Sequence, residues 1–327
     1  MRKRYIPIET ESPGFDIPDP EAPVLVIGAS ALDIVAHVKE NLSAGTSIPA
    51  RIRYSYGGVA RNVAENLARL GQPVRLLSVV GDDDIGHQLL QQAEEAGIDI
   101  SPVLITEAQP TCTYMAAVDP SSGLLFGTDD MRAMKELSPV AIRERSELFK
   151  GASVLFVDGN VPRDTLRTVM SMARRERLPV CADPAAAGLA ERLRPYLPRL
   201  TLVTPNGSEA SVLTGLTFNA KSPDESLQIA KQLVTIGVEI AIITLGDAGV
   251  CYATSQTSGY IPAVRTQVLD PTGAGDALTA TVIFSLLNEI PLDDALQLAV
   301  SAASLTLRYP GSVVPDLTLQ SLYDRLV

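Results

Sequence analysis

Short apolar runs alternating with helical stretches mark out most of this chain. Val24 to Gly28 is an unbroken apolar run that stops at glycine, the pattern of a buried strand meeting a turn. Ile34 to Val38 and Ile48 to Tyr54 alternate instead, and read as weakly amphipathic strands. Asn62 to Leu70 carries Val63, Leu67 and Leu70 at helical spacing, with Gly71 just beyond, which predicts a helix ended by glycine. Val74 to Val80 reads as another buried strand, and Gly86 to Ala96 as a helix closed by Gly97. Thr113 to Val118 and Leu124 to Phe126 flank a turn-rich link and predict a hairpin.

From there the chain repeats strand and helix. Strands are expected at Ser153 to Val157, Val180 to Asp183, Leu202 to Val203 and Ile240 to Leu245. Helices are expected at Arg163 to Arg175, Ala187 to Tyr196 and Glu225 to Ile236, then two long apolar ones at Ala274 to Asn288 and Leu292 to Leu307. Such alternation implies right-handed crossovers and an α/β fold whose parallel sheet is covered on both faces. The early alternating stretches, about 34–56 and 111–128, break this rhythm. They predict a small separate sheet, a lid over the crevice at the strand ends. The expected organisation is one domain over 24–327, preceded by a tail over 1–23.

Composition narrows the function classes. The 327 residues are 46% hydrophobic and 20% charged, with a mean hydropathy of +0.16, which suits a chain with a sizeable core. The formal net charge of −11 argues against an extended nucleic-acid surface, which needs a basic excess. A small anionic ligand needs only local N–H donors. Cys112, Cys181 and Cys251 are odd in number and widely spaced, so we expect reduced residues of the core. No apolar run reaches the roughly 18–20 residues of a membrane span. The basic start, Met1 to Arg4, is followed by a polar, proline-containing stretch rather than an apolar one, and reads as a tail, with cytoplasmic residence expected. His37 and His87 lie in different segments with no partner pattern and read as ordinary residues.

Candidate chemistry gathers at two ends. Asp270-Pro271-Thr272-Gly273-Ala274-Gly275-Asp276 precedes the long apolar helix. Its glycines permit close backbone approach, and the free amides of a helix start would face an anion. That suits the charge developing in a phosphoryl transfer. Asp276 would then accept a proton from an attacking hydroxyl; the alternative is a helix-start residue favoured by the dipole. Asn206 and Glu209, three apart, could order Mg²⁺ through water, or simply form a capping box. Thr244, Gly246 and Gly249 form a turn at a strand end that could approach a ribose or phosphate, or merely join two strands. At the other end, Gly57 and Gly58 would let a ligand touch backbone, Asn62 offers a donor and an acceptor or simply caps the helix, and Asp33 could accept from two neighbouring hydroxyls or be a loop carboxylate in solvent.

In this order the motifs resemble the ribokinase (PfkB) carbohydrate kinase family. Gly57, Gly58, Asn62, Ala64, Gly71 and Gly81 match its first signature in spacing, and Asp270 to Asp276 its second. Within the family the chain resembles the pseudouridine kinases through Gly57-Gly58-Val59, Arg61-Asn62 and Ala64-Glu65-Asn66-Leu67-Ala68, through Thr113-Tyr114, Asp130-Met131 and Asp183-Pro184, and through Thr204-Pro205-Asn206 with Glu209. It departs from them at Ala60, at Pro271 and at Ala185-Ala186-Ala187-Gly188.

The resemblance implies a ribokinase-like three-layer α/β/α sandwich with a mostly parallel central sheet and a small β-sheet lid. It implies ATP and Mg²⁺, Asp276 as base, and an anion hole from Gly273, Ala274 and Gly275. Asp33, Gly57, Gly58, Asn62, Thr113 and Asp130 would bind substrate. Asn206, Glu209, Thr244, Gly246 and Gly249 would serve the nucleotide and its Mg²⁺, while Asp270 and Thr272 match a monovalent cation site, usually K⁺. A homodimer through the lid is also implied. The substrate expected is a nucleoside, pseudouridine first. Ribose, fructose or a purine nucleoside are the alternatives, as is a non-catalytic ligand-binding role on the same fold.

Overall fold

The computed structural model describes residues 19–38, 45–119 and 123–326. Its strands are β1 (Val24–Ile27), β2 (Ala31–Val38), β3 (Ala50–Gly57), β4 (Val74–Leu77), β5 (Val79–Gly81), β6 (Leu104–Thr106) and β7 (Cys112–Asp119). They continue with β8 (Gly123–Asp130), β9 (Leu155–Asp158), β10 (Val180–Asp183), β11 (Leu202–Val203), β12 (Ile240–Thr244), β13 (Gly249–Ala253) and β14 (Ser258–Pro262). Eight form the main sheet in the order β14-β13-β12-β11-β10-β9-β1-β4. The six from β12 to β4 pair in parallel, and β13 and β14 extend the edge antiparallel.

The unbroken apolar runs follow from burial on both faces. Leu25 and Ile27 point into a core with Leu155, Val157, Met170 and Leu233. Their neighbours Val24 and Val26 point the other way, to Phe156, Leu67, Ile283 and Leu296. Two cores on opposite sides of one sheet make a three-layer α/β/α sandwich, as the sequence pattern implies.

The lid is a separate four-stranded sheet, β3-β2-β7-β8. Strands β2 and β3 pair antiparallel with Asp33 opposite Ser55, and β2 runs parallel to β7 with Asp33 beside Tyr114. The chain leaves the lid at Gly57 and Gly58 and enters the helix Val59–Arg69 at once. A side chain cannot replace either glycine freely. A Cβ at Gly57 would fall 2.0 Å from Asp33 Oδ2, and one at Gly58 (φ +91°) 2.4 Å from the Ala29 carbonyl.

Several expectations are corrected. Val74 to Val80 is not one strand: the Ser78 hydroxyl donates to the Gly28 carbonyl at 2.6 Å and the Ser78 carbonyl accepts from Leu104 N. The chain therefore steps out of the main sheet, and β5 pairs with β6 instead. The helix expected over Ala187 to Tyr196 is only Ala187–Ala190, followed by a 3₁₀ segment Arg194–Arg199. Pro195 and Pro198 lack the N–H groups that an α-helix there would need. The helix at Asn62 starts earlier, at Val59, and the one at Gly86 starts at Asp84, where the Asp83 carboxylate accepts from Gly86 N. The antiparallel pair β13–β14 was not anticipated.

All three cysteines are free and buried. Among the described residues no helix is long and apolar enough to cross a membrane. His87 pairs with Asp82 at the surface. The tail expected before residue 24 lies outside the described residues up to residue 18.

We expect Gly58→Ala to lower stability by about 2 kcal/mol or more, since an L-residue at positive φ costs roughly 1–2 kcal/mol before any clash. The midpoint of urea unfolding checks this.

Candidate active site

The main-sheet residues around the site stand at or just past the carboxyl ends of strands, those expected there (Asn206 and Thr244) and two more, Asp158 and Asp183, alike. Asp158 ends β9, Asp183 ends β10, Asn206 follows β11, and Thr244 ends β12. The strand order reverses between β1 and its two neighbours, which opens a crevice at these ends.

The helix Ala274–Leu287 begins in that crevice. Gly273 adopts φ +80° and packs so closely that a Cβ would overlap the Ser312 carbonyl. Gly275 has no atom within 4 Å of where its Cβ would sit. The first turn is therefore open on the Gly275 side, and a helix start offers unpaired amides and the positive end of its dipole there.

Asp276 stands in this turn, and Asn62 Nδ2 donates to its Oδ2 at 2.7 Å. Asn62 is not a helix cap; its amide is oriented by Arg61, whose Nη1 donates to Asn62 Oδ1 at 3.3 Å and to the Tyr56 carbonyl at 2.9 Å. Arg61 is buried and also holds Gln92 and Glu65. Protein encloses Asp276 closely even though one side opens to the crevice. Lost hydration, outweighing the Asn62 hydrogen bond and aided by Asp158 and Glu209, pushes its pKa up to about 7. Asp33 is buried rather than a solvent-exposed loop carboxylate. Burial, then the Asp276 charge, raises it to about 7 as well, against the pull of Arg61.

Around them lie Asp158, which sequence reading did not single out, and Asp183, which it noted only as a strand end and in the Asp183-Pro184 resemblance. Asp158 is fully buried and accepts from Ala29 N, Ala60 N and Asn160 N at 2.8–3.1 Å. It ties β1, the lid hinge and β9 together, while burial raises its pKa. Asp183, paired with Asp158 in the register, is raised by burial and then by Glu209 and Asp276. Asp183 closes the predicted strand Val180 to Asp183 and Asp158 directly follows Ser153 to Val157, and that shared position at strand ends was the available signal.

Asn206 and Glu209 do form the capping box: Asn206 N and Nδ2 donate to the two Glu209 oxygens at 2.8 and 2.7 Å. Buried Glu209 nevertheless faces Asp183 and Asp276, and burial lifts its pKa. Among the described residues no three carboxylates, histidines or cysteines are gathered closely enough to hold a metal ion directly. With both oxygens already held, Glu209 suits contact through water.

Thr244, Gly246 and Gly249 line a cavity of about 340 Å³ together with Ala274 and Gly275. Val264, Leu278, Val300 and Leu307 give it an apolar wall, so it offers a flat apolar group a seat ending at the anion-facing turn. The turn also joins β12 to β13, so the alternative reading of this motif holds too. Asp270 is buried, and its Oδ1 accepts from Thr272 N at 2.9 Å.

The lid residues divide. Tyr114 and Asp129 share the face of Asp33, whereas Thr113 and Asp130 pair with each other on the opposite face. Asp130 is half-exposed and gripped by Arg132 at 2.6 and 2.8 Å, which holds its carboxyl down at about 2.

Comparison with known proteins places the chain in a family. The family model for pfkB family carbohydrate kinases matches residues 22–318. This chain belongs to the pfkB family. It is 28% identical over 300 residues to the pseudouridine kinase of Escherichia coli, covering 91% of this chain and 95% of that one. It is 26% identical over 297 residues to a guanosine-inosine kinase of Exiguobacterium acetylicum, covering 90% and 97%. An Arabidopsis thaliana ribokinase solved with ribose and ATP superposes with a TM-score of 0.81 over 93% of this chain and 98% of that one. At 21% identity that likeness bears on the fold, which is ribokinase-like. This pfkB kinase is thus a phosphotransferase of the sugar and nucleoside class.

For the pfkB kinase the raised carboxylates also carry a stability cost. An acid whose folded pKa lies above its unfolded value near 3.8 binds more protons when folded, so stability falls as pH rises from about 4 to about 7. Asp276→Asn should therefore be more stable than the parent by roughly 1–3 kcal/mol at pH 8, with the gap closing near pH 4. Thermal unfolding of the ligand-free protein across pH measures it.

Proposed function

We propose that this kinase transfers the γ-phosphate of MgATP to the 5′-hydroxyl of a nucleoside, pseudouridine foremost. The observation that carries the chemistry is the 2.7 Å bond from Asn62 to Asp276, at a helix start that is open on the Gly275 side. It sets one carboxylate between a sugar-binding side and an anion-binding side. Support for the substrate is the likeness to pseudouridine kinase along nearly the whole chain.

In this reading Asp33 accepts from two ribose hydroxyls, and Gly57, Gly58 and Asn62 seat the sugar against backbone. Tyr114 and Asp129, on the face of Asp33, form the lid wall that closes over it, and Thr113 and Asp130 lie behind them on the other face. Asp276, ionised above about pH 7, takes the 5′-hydroxyl proton as the oxygen attacks phosphorus. The amides of Gly273, Ala274 and Gly275 stabilise the charge on the transferred group. Thr244, Gly246 and Gly249 border the nucleotide's base and sugar. Bound Mg²⁺ would neutralise the phosphate oxygens, with Asn206 and Glu209 ordering its water shell. Asp270 and Thr272 would hold K⁺ behind the anion-facing turn.

The lid face opposite Asp33 exposes Ile52, Tyr54, Met115 and Phe126. We assign that apolar face to a second copy of the chain. Sedimentation at micromolar concentration should give twice the chain mass, and Tyr54→Lys should shift it toward the monomer.

The deciding experiment is a panel of pseudouridine, uridine, inosine and ribose at fixed MgATP. Pseudouridine should have the highest kcat/KM; a higher value for ribose overturns the nucleoside assignment. Asp276→Asn should retain nucleotide binding while kcat drops about 10²–10⁴-fold or more. The proton-accepting form accumulates only as pH rises through about 7, so kcat/KM should fall on the acid side of that value.

A further inference from the structure

The inner face of the lid continues beyond Asp33 in a second row of side chains. Residues directly opposite in paired strands share a face, and alternate residues along a strand return to it. The first row is Ser55, Asp33, Tyr114 and Asp129, and the second is Arg53, Val35, Ala116 and Gly127. Three of the four in the second row are small or aliphatic. The Gly127 position is kept bare by Tyr114, whose hydroxyl would lie 2.6 Å from a Cβ there. The Tyr114 ring thus leans along the second row, and Val35 and Ala116 form an apolar shelf between it and Arg53.

Arg53 ends this shelf on the outer strand. Its Nη1 is shielded from solvent and has no hydrogen-bond partner among the described residues. The same holds for Nε2 of His37, which lies on the same face one step further along β2, diagonal to Arg53. Buried donors are rarely left unmade unless something else fills them. A guanidinium offers donors only, so whatever completes Arg53 must bring an acceptor. Three strand spacings of about 4.8 Å separate the two ends of the row, enough for a single flat ring beside Tyr114.

We infer that this shelf is the base subsite of the kinase, with Arg53 donating to a carbonyl oxygen of an oxo-base. Val35 and Ala116 carry the ring face, Tyr114 closes one side, and His37 is the second polar group within reach of the base. The inference rests on the nucleoside reading and adds the residue that separates nucleosides from free pentoses. Ribose bound at Asp33 has no atom in the second row, so it gains nothing from Arg53.

The test is the ratio of kcat/KM for pseudouridine to that for ribose, measured for the parent enzyme and for Arg53→Leu. The substitution should lower the ratio tenfold or more, chiefly by raising KM for the nucleoside. Arg53→Lys, which restores a donor without the fork, should recover part of the loss. Matching unfolding midpoints establish that both variants are folded, and should Arg53→Leu fail to fold, the lysine variant carries the comparison. An unchanged ratio in an enzyme that does phosphorylate nucleosides overturns the subsite and leaves the nucleoside reading standing. A parent enzyme that prefers ribose to every nucleoside overturns both.

Discussion

Asn62 and Asp276 are 214 residues apart, and a 2.7 Å hydrogen bond joins them where two helices begin in the same crevice. One helix enters from the lid and the other from the anion-facing turn, so this contact fixes the distance between the sugar side and the phosphate side. Arg61 makes the contact directional: by occupying the Asn62 carbonyl oxygen it turns the amide nitrogen toward Asp276. Without that neighbour an asparagine could present either end.

The bond also moderates a costly arrangement. Asp33, Asp158, Asp183, Glu209 and Asp276 share one desolvated crevice, and burial raises every one of their pKa values. Such crowding weakens the ligand-free protein and favours whatever brings hydroxyl donors or cations into the crevice. The segment following the last long helix ties the two sides again, since the Ser312 hydroxyl donates to the Tyr56 carbonyl of the lid while its own carbonyl packs on Gly273. The lid hinge and the anion-facing turn therefore cannot shift independently.

Much of the fold was legible in the chain because burial on both faces of a sheet writes unbroken apolar runs, as in Val24 to Ile27 and Ile240 to Ile243. The alternation in β2 and β3 likewise marked a sheet covered differently on its two faces. Where reading failed, a tertiary partner had intervened. Ser78 ends a strand inside an apolar run because Gly28 and Leu104 claim its polar groups. In β13, Val250 to Ala253 are buried to the last residue, yet four residues without helical or alternating period carry too little pattern to be distinguished.

The sequence by itself determined which backbone could bend and where anions could be met. Gly57-Gly58 and Gly273-Ala274-Gly275 announce close approach, and Asp276 announces a carboxylate at a helix start, because these depend on neighbours within a few residues. Tertiary structure alone decided which carboxylates are desolvated, that Asn62 reaches Asp276, and which lid side chains share the face of Asp33. Those properties depend on strand register and on groups as far apart in the chain as Asn62 and Asp276. A shift of one residue in a β-strand exchanges its two faces, so no local pattern could have placed Tyr114 rather than Thr113 beside Asp33.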